Sequence, residues 1–475
     1  MPYINLPGSV QLFYELHSTT ATSPTNGSSS TSSPPPPKPS LLLLAPSMLD
    51  NTFLTPYVEA FQDDYDICCL ELRSHGRSRN QAIAGMDFWV AAADVAHAME
   101  ALHLAPSHFF GAGCLSFQVA LKTAILFPSL VLSLTLAGAP TLFAPPRAVA
   151  AFVEITESWV RPADEDEWID VIGGVGEFLL GERRFDGADE AWDRVLPPIV
   201  RRYNPWTASA VFMVTSPSQR SPGLTPEILA TVKQPILFFQ GDNDFCFGIE
   251  EVREQSTHFS GAKELEFHAV EGGPHMLGVT HASTVISHMR PFLARNNPSP
   301  LPQFAPLDAL AALQLAAAIA NDPKVALRNA YKPDSFSLHT AEERAAAQVI
   351  LSGMEKVEKE CELVLPMCSD KDDWEITNRP EEEGDHRWTW STREEYGTPS
   401  SPIIHSRSSI SSVHDQIGRP LSTFSLQDSV VVQVESTSEQ TPLSPRLGKA
   451  TGGTLESVTE GKVMANGATT AVAEV

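Results

Sequence analysis

The chain has 475 residues, 42% of them hydrophobic and 19% charged, and carries a net charge of −25. That composition excludes collagen-like and wholly disordered chains and suffices for one large or two medium domains. The acidic balance repels phosphate backbones and anionic lipid, which argues against nucleic acid as a partner. The six cysteines include no C-x-x-C pair, so neither a disulfide framework nor a zinc half-site is expected, and a reducing, cytoplasmic compartment fits best.

The start, Met1-Pro2-Tyr3-Ile4-Asn5, lacks the basic and apolar regions of a signal peptide. Tyr3 to Leu6 and Val10 to Leu16 flank Pro7-Gly8-Ser9 and predict a hairpin. Ser18 to Ser40 is almost all Ser, Thr and Pro and reads as a disordered, solvated insertion. Short apolar runs bounded by turn residues follow at Leu41 to Ala45, Tyr65 to Leu72, Ser107 to Gly111, Val131 to Ala137, Ile236 to Gln240 and Glu264 to Val270. Helical patterns lie between most of them, at Phe53 to Gln62, Asp87 to Leu102, Leu115 to Phe127, Glu250 to Phe259 and Met276 to Leu293. Strands alternating with helices predict an α/β fold with a mostly parallel sheet covered on both faces. The interval from Ala137 to Ile236 is too long for one crossover, and residues 141–230 read as a helical insertion, or lid.

Past residue 296 the pattern changes. Residues 297–368 predict a helical extension, with helices in Leu301 to Ala320 and Thr340 to Leu363; Thr340 and Glu343 are spaced as a capping box. No apolar stretch is long enough to span a membrane. Residues 369–475 are acidic, then Ser-, Thr- and Pro-rich, and read as a disordered tail. Sites such as Ser401-Pro402 and Ser444-Pro445 would suit binding of other proteins under regulation. The net charge of residues 297–475 is −11 against −14 for the rest, so the tail is not a dedicated acidic arm.

The chemistry concentrates in Phe109 to Pro140, where a strand ends in small residues, turns, and enters a helix that stops before Pro128. With Cys114 at the apex, Ala112 and Ser116 are the small residues two before and two after it. An apex thiol there meets the unpaired amides and positive dipole end of the helix, which favour a thiolate. This segment resembles the nucleophile elbow of the α/β-hydrolase family, G-x-S-x-G, with Cys replacing Ser. Counted from Cys114, Ala120, Ala124, Pro128 and Val131 fall where that family carries Ala, Ala, Pro and Val. Glu71 to Ser78 is similar to the family's D-x-R-G-x-G-x-S loop, Gln240 to Asp244 to its acid turn, and Glu271 to His275 to its histidine turn.

The resemblance covers residues 1–296 and implies an α/β-hydrolase core, with Cys114 as nucleophile, Asp244 as acid and His275 as base. Asp242 is the alternative acid. Backbone amides of Leu115 and of the Ser47-Met48 loop would form the oxyanion hole, since Pro46 has no N–H. The implied reaction is hydrolysis or acyl transfer on a small ester, thioester or lactone, with no metal or organic cofactor. His75 and Arg77 would brace a loop, Cys246 would be buried, and Ser116 would be no nucleophile. Trp159, Trp168, Trp206, Phe212 and Met213 would mix lid core and pocket lining. Two departures, Ala45-Pro46 where the family has His-Gly and the altered elbow, suit a second reading: a hydrolase-like protein that binds a ligand or partner without catalysis. A lyase or isomerase on the same fold is a third.

Overall fold

A computed structural model describes residues 2–18, 37–138, 146–183, 185–221, 223–244 and 247–363. The chain divides into a unit spanning Met1–Ile417 and one spanning Gly418–Val475, and every described residue lies in the first. Most of the Ser18 to Ser40 insertion, Cys246 and the whole 369–475 tail lie outside the described residues.

Eight strands form one sheet: β1 (Tyr3–Leu6), β2 (Val10–His17), β3 (Ser40–Leu44), β4 (Asp66–Leu70), β5 (Ser107–Ala112), β6 (Val131–Ala137), β7 (Ile236–Gly241) and β8 (Leu265–Val270). Their order is β1-β2-β4-β3-β5-β6-β7-β8. The hairpin is antiparallel and β2 joins β4 antiparallel; from β4 onward all neighbours are parallel. Strands β3 and β5 are buried along nearly their whole length, as expected where helices cover both faces.

The helices are α1 (Thr55–Phe61), α2 (Phe88–Ala101), α3 (Gly113–Leu126), α4 (Pro146–Val160), α5 (Glu165–Leu180), α6 (Ala188–Arg202), α7 (Ala208–Arg220), α8 (Pro226–Leu229), α9 (Ile249–Ser256), α10 (Leu277–Thr280), α11 (Ala282–Asn296), α12 (Ala309–Ile319) and α13 (Ala341–Glu360). Helices α4 to α8 fill the interval between β6 and β7. Two hydrophobic clusters result. The larger joins the α2/α3 side of the sheet to the lid and extension; the smaller holds Tyr57, Phe61, Val285 and Phe292 of α1 and α11. No helix among the described residues is long and apolar enough to cross a membrane.

Two helical expectations shift for local reasons. Met276 to Leu293 is broken at His281, whose φ of −116° and ψ of 33° are not helical, giving α10 and α11. The helix expected from Leu301 begins only at Ala309, because Pro302 and Pro306 precede it and Asp308 caps it by accepting from the Ala311 amide. The Thr340/Glu343 capping box forms in both directions.

The extension is tied to the core by buried polar contacts. Arg73, almost wholly buried, grips Asp94 of α2 through Nε and Nη2 and reaches Asp334 of the extension through Nη1. Asp87 caps α2 by accepting from the Trp89 and Val90 amides, and also accepts from Ser337 Oγ and the Leu338 amide. Helix α13 then packs on α7, where Glu358 accepts from the Ser209 amide and hydroxyl.

Candidate active site

The strand ends of β5, β7 and β8 bring the predicted residues to one edge of the sheet. After β7 the chain turns through Asp242 to Asp244. Gly241 passes the Gly273 carbonyl so closely that an added Cβ would lie 1.7 Å from its oxygen, so only glycine permits this approach. That contact sets the acid turn against the histidine turn. Asp242 Oδ1 accepts from the Gly272 amide at 2.7 Å and so holds the histidine turn.

Asp244 Oδ2 lies 2.9 Å from His275 Nδ1, and both side chains are fully buried. Gln240 donates to the same Oδ2 at 3.1 Å, and the Phe247 amide donates to Oδ1 at 3.1 Å. Three donors among the described residues thus hold the carboxylate. The rings of Phe178 and Phe247 flank the imidazole at 5.0 and 5.3 Å. With Nδ1 protonated toward Asp244, Nε2 carries a lone pair, and it receives the Cys114 backbone amide at 3.1 Å.

At the elbow the structure corrects the expected register. The positive-φ residue between β5 and α3 is Gly113, with φ of 73°, and Cys114 lies one residue inside the helix. No side chain therefore occupies the tip of the turn. The space is filled from elsewhere: a Cβ on Gly113 would lie 3.0 Å from Met276 Sδ and 3.1 Å from Ser47 Oγ. The Cys114 thiol is buried, and its hydrogen-bond partner is Ser218 Oγ of α7 at 3.4 Å. Burial pushes this thiol up to about 11 against smaller lowering by the Ser218 hydrogen bond and by Lys122.

The first-turn amides of α3 are capped from two loops. The Cys114 N–H goes to His275, and the Leu115 N–H donates to Ser47 Oγ at 2.8 Å. The Ser47 N–H donates to the Ala112 carbonyl at 3.4 Å. Of the three residues expected to bind an oxyanion, Ser47 and Leu115 thus have their amides engaged within the protein, whereas Met48 stands beside them in a left-handed conformation, φ 65°.

The other sequence readings resolve individually. Ser116 Oγ donates to the Ala45 carbonyl and ties α3 to the loop after β3. Arg77 pairs with the buried Glu71 at 2.7 Å and stacks on Phe13, and His75 Nδ1 donates to the Arg73 carbonyl at 2.9 Å; both brace the loop. Trp159, Trp168, Trp206, Phe212 and Met213 are all buried in the lid, and Met213 also lines a cleft with Leu6, Val10, Ala82 and Ala210. Ser218, Gln240 and the hydroxyl of Ser47 were not expected at the site. They come from segments far apart in sequence: Gln240 opens the acid turn and Ser47 lies in the expected oxyanion loop, whereas no local motif marks Ser218.

No known family model and no curated protein matches the sequence. Among solved structures the chain is similar to a thermophilic esterase from Thermogutta terrifontis, at 16% identity and TM-score 0.50, over 62% of this chain and 98% of that one. It is similar to the enol-lactonase from Burkholderia xenovorans LB400 at 14% identity and TM-score 0.50, over 62% of this chain and all of that one. At these identities the likeness is one of fold: the chain has the α/β-hydrolase fold, as the sheet order and the parallel core require.

Proposed function

We propose that the chain is a hydrolase acting on a small ester, thioester or lactone, with Cys114 as nucleophile, His275 as general base and acid, and Asp244 holding His275 in the working tautomer. The observation that carries this reading is the buried Asp244–His275 pair, whose Nε2 lone pair faces the backbone of the residue that bears the thiol. His275 would take the thiol proton as sulfur attacks the carbonyl carbon. It would return that proton to the leaving oxygen or sulfur and then activate the water that cleaves the acyl-enzyme.

Reaction requires Cys114 to leave Ser218 and turn toward His275, and Ser47 to rotate away from the Leu115 amide so that this donor, with Met48, meets the oxyanion. The esterase and enol-lactonase that share the fold act on such carbonyl groups, which is support by analogy.

A second reading has its own observation. Glycine at the tip of the turn, a thiol pushed up by burial and capped amides fit a protein that binds a ligand or partner without catalysis. Turnover of short p-nitrophenyl esters and an acyl thioester separates the two. Hydrolysis lost in both Cys114→Ala and His275→Ala supports the enzyme; saturable binding of these compounds with rates equal in all three proteins supports the binding protein.

A further inference from the structure

A cleft of about 620 Å³ lies between the β1–β2 hairpin, the loop after β4 and helix α7. That volume falls within the roughly 300–1,000 Å³ of small-molecule sites. Cys114, Asp244 and His275 do not line it, so it is separate from the candidate active site. Leu6, Val10, Ala82, Ala210 and Met213 give it an apolar side. Its charged lining is Arg79, Arg202 and Glu358, two cations against one carboxylate, which leaves one positive charge over. Glu358 is engaged within the protein, accepting from the Ser209 amide and hydroxyl.

The chain has a net charge of −25, and Arg77, Arg183, Arg253 and Arg295 each pair with a carboxylate. Arg79 does not. Its backbone is pinned by a two-way bridge to Gln11, both hydrogen bonds at 2.8 Å. Its guanidinium stands 5.4 Å from the Tyr3 ring and has no ion-pair partner among the described residues. An aromatic face steadies a guanidinium without neutralising it. Arg202 enters from the end of α6, where Nη2 donates to the Ser78 carbonyl at 3.3 Å, an acceptor with no net charge. The polar wall is fixed by internal bonds: the Ser74 amide and hydroxyl donate to Asn80 Oδ1, and the Tyr203 hydroxyl donates to the Ser74 carbonyl.

We propose that this cleft binds a small organic carboxylic acid, its carboxylate held by Arg79 and its apolar body laid against Val10, Ala82 and Met213. A guanidinium presents a planar fork of donors that matches a carboxylate. Arg202 adds to the positive potential at the head. One surplus positive charge answers a monoanion, whereas a phosphate dianion would remain under-neutralised. The apolar side removes the hydrocarbon body from water and supplies the rest of the affinity.

Isothermal titration calorimetry of the full chain with octanoate and with naphthoate tests this. Each acid binds saturably at one site, and octanamide, which lacks the charge, binds about tenfold more weakly. Arg79→Gln weakens the acids about tenfold and leaves octanamide unchanged. Ala82→Trp fills the cleft and abolishes binding; a thermal melt verifies the fold, and if that variant fails to fold, Ala210→Phe makes the same measurement. Binding requires no reactive thiol, so Cys114→Ala binds as wild type does, and failure of the hydrolase reading leaves these results standing. Absence of saturable binding by both acids, or binding that Arg79→Gln leaves unchanged, overturns the proposal. Binding that is lost in Cys114→Ala also overturns it, because the acids then occupy the candidate active site.

Discussion

Gly113→Ala tests the position of the elbow's apex. At φ of 73° the backbone lies in the left-handed region, which costs an L-residue roughly 1–2 kcal/mol. The added methyl also meets Met276 Sδ at 3.0 Å and Ser47 Oγ at 3.1 Å, so both must yield by a few tenths of an ångström. Together these predict a loss of about 2 kcal/mol, a fall in Tm of roughly 3 °C in a domain of this size. Gly174→Ala in α5 is the control. A Cβ there meets nothing within 4 Å, and alanine in a helix interior is better than glycine by about 0.5–1 kcal/mol. Differential scanning fluorimetry and urea unfolding measure both. A Gly113→Ala protein as stable as wild type would refute the placement of the turn at Gly113.

Two further predictions concern stability. His75 and His108 are both lowered to about 4 by burial, so between pH 6.5 and 4 the unfolded chain binds more protons than the folded one and stability falls as pH falls. The loss reaches up to about 3 kcal/mol for each, and acid unfolding of His108→Gln should be less steep than that of wild type. Asp94→Ala leaves Arg73 buried with only the half-exposed Asp334, and should cost about 3 kcal/mol or more in urea unfolding; Asp334→Ala, which keeps the bidentate Asp94 contact, should cost about 1 kcal/mol.

The sheet and its helices were legible because their signals are local. Val131 to Ala137 is recovered residue for residue, and the Thr340/Glu343 cap is written in positions three apart. The Asp244–His275 contact was legible through two turns with glycines at fixed offsets, and Gly241 shows the physical reason: the turns meet backbone to backbone. The elbow was misplaced by one residue. Spacing to Pro128 and Val131 pointed to Cys114, but Gly111 and Gly113 flank Ala112, and the glycine that tolerates positive φ takes the apex. Ser218 and the role of the Ser47 hydroxyl were invisible because serine is common, and what matters is where a loop after β3 and a lid helix fold back over α3.

The central claim is that Cys114 forms a covalent acyl-enzyme with His275 as its base. The most direct measurement mixes the full chain with a short acyl thioester, quenches in acid within seconds, and maps acyl mass by peptide mass spectrometry in wild type, Cys114→Ala and His275→Ala. The account predicts an acyl group on the peptide carrying Cys114 in wild type, strongly reduced without His275 and absent without Cys114. Turnover of the thioester with no acyl group on that peptide, or turnover that survives Cys114→Ala, would contradict it.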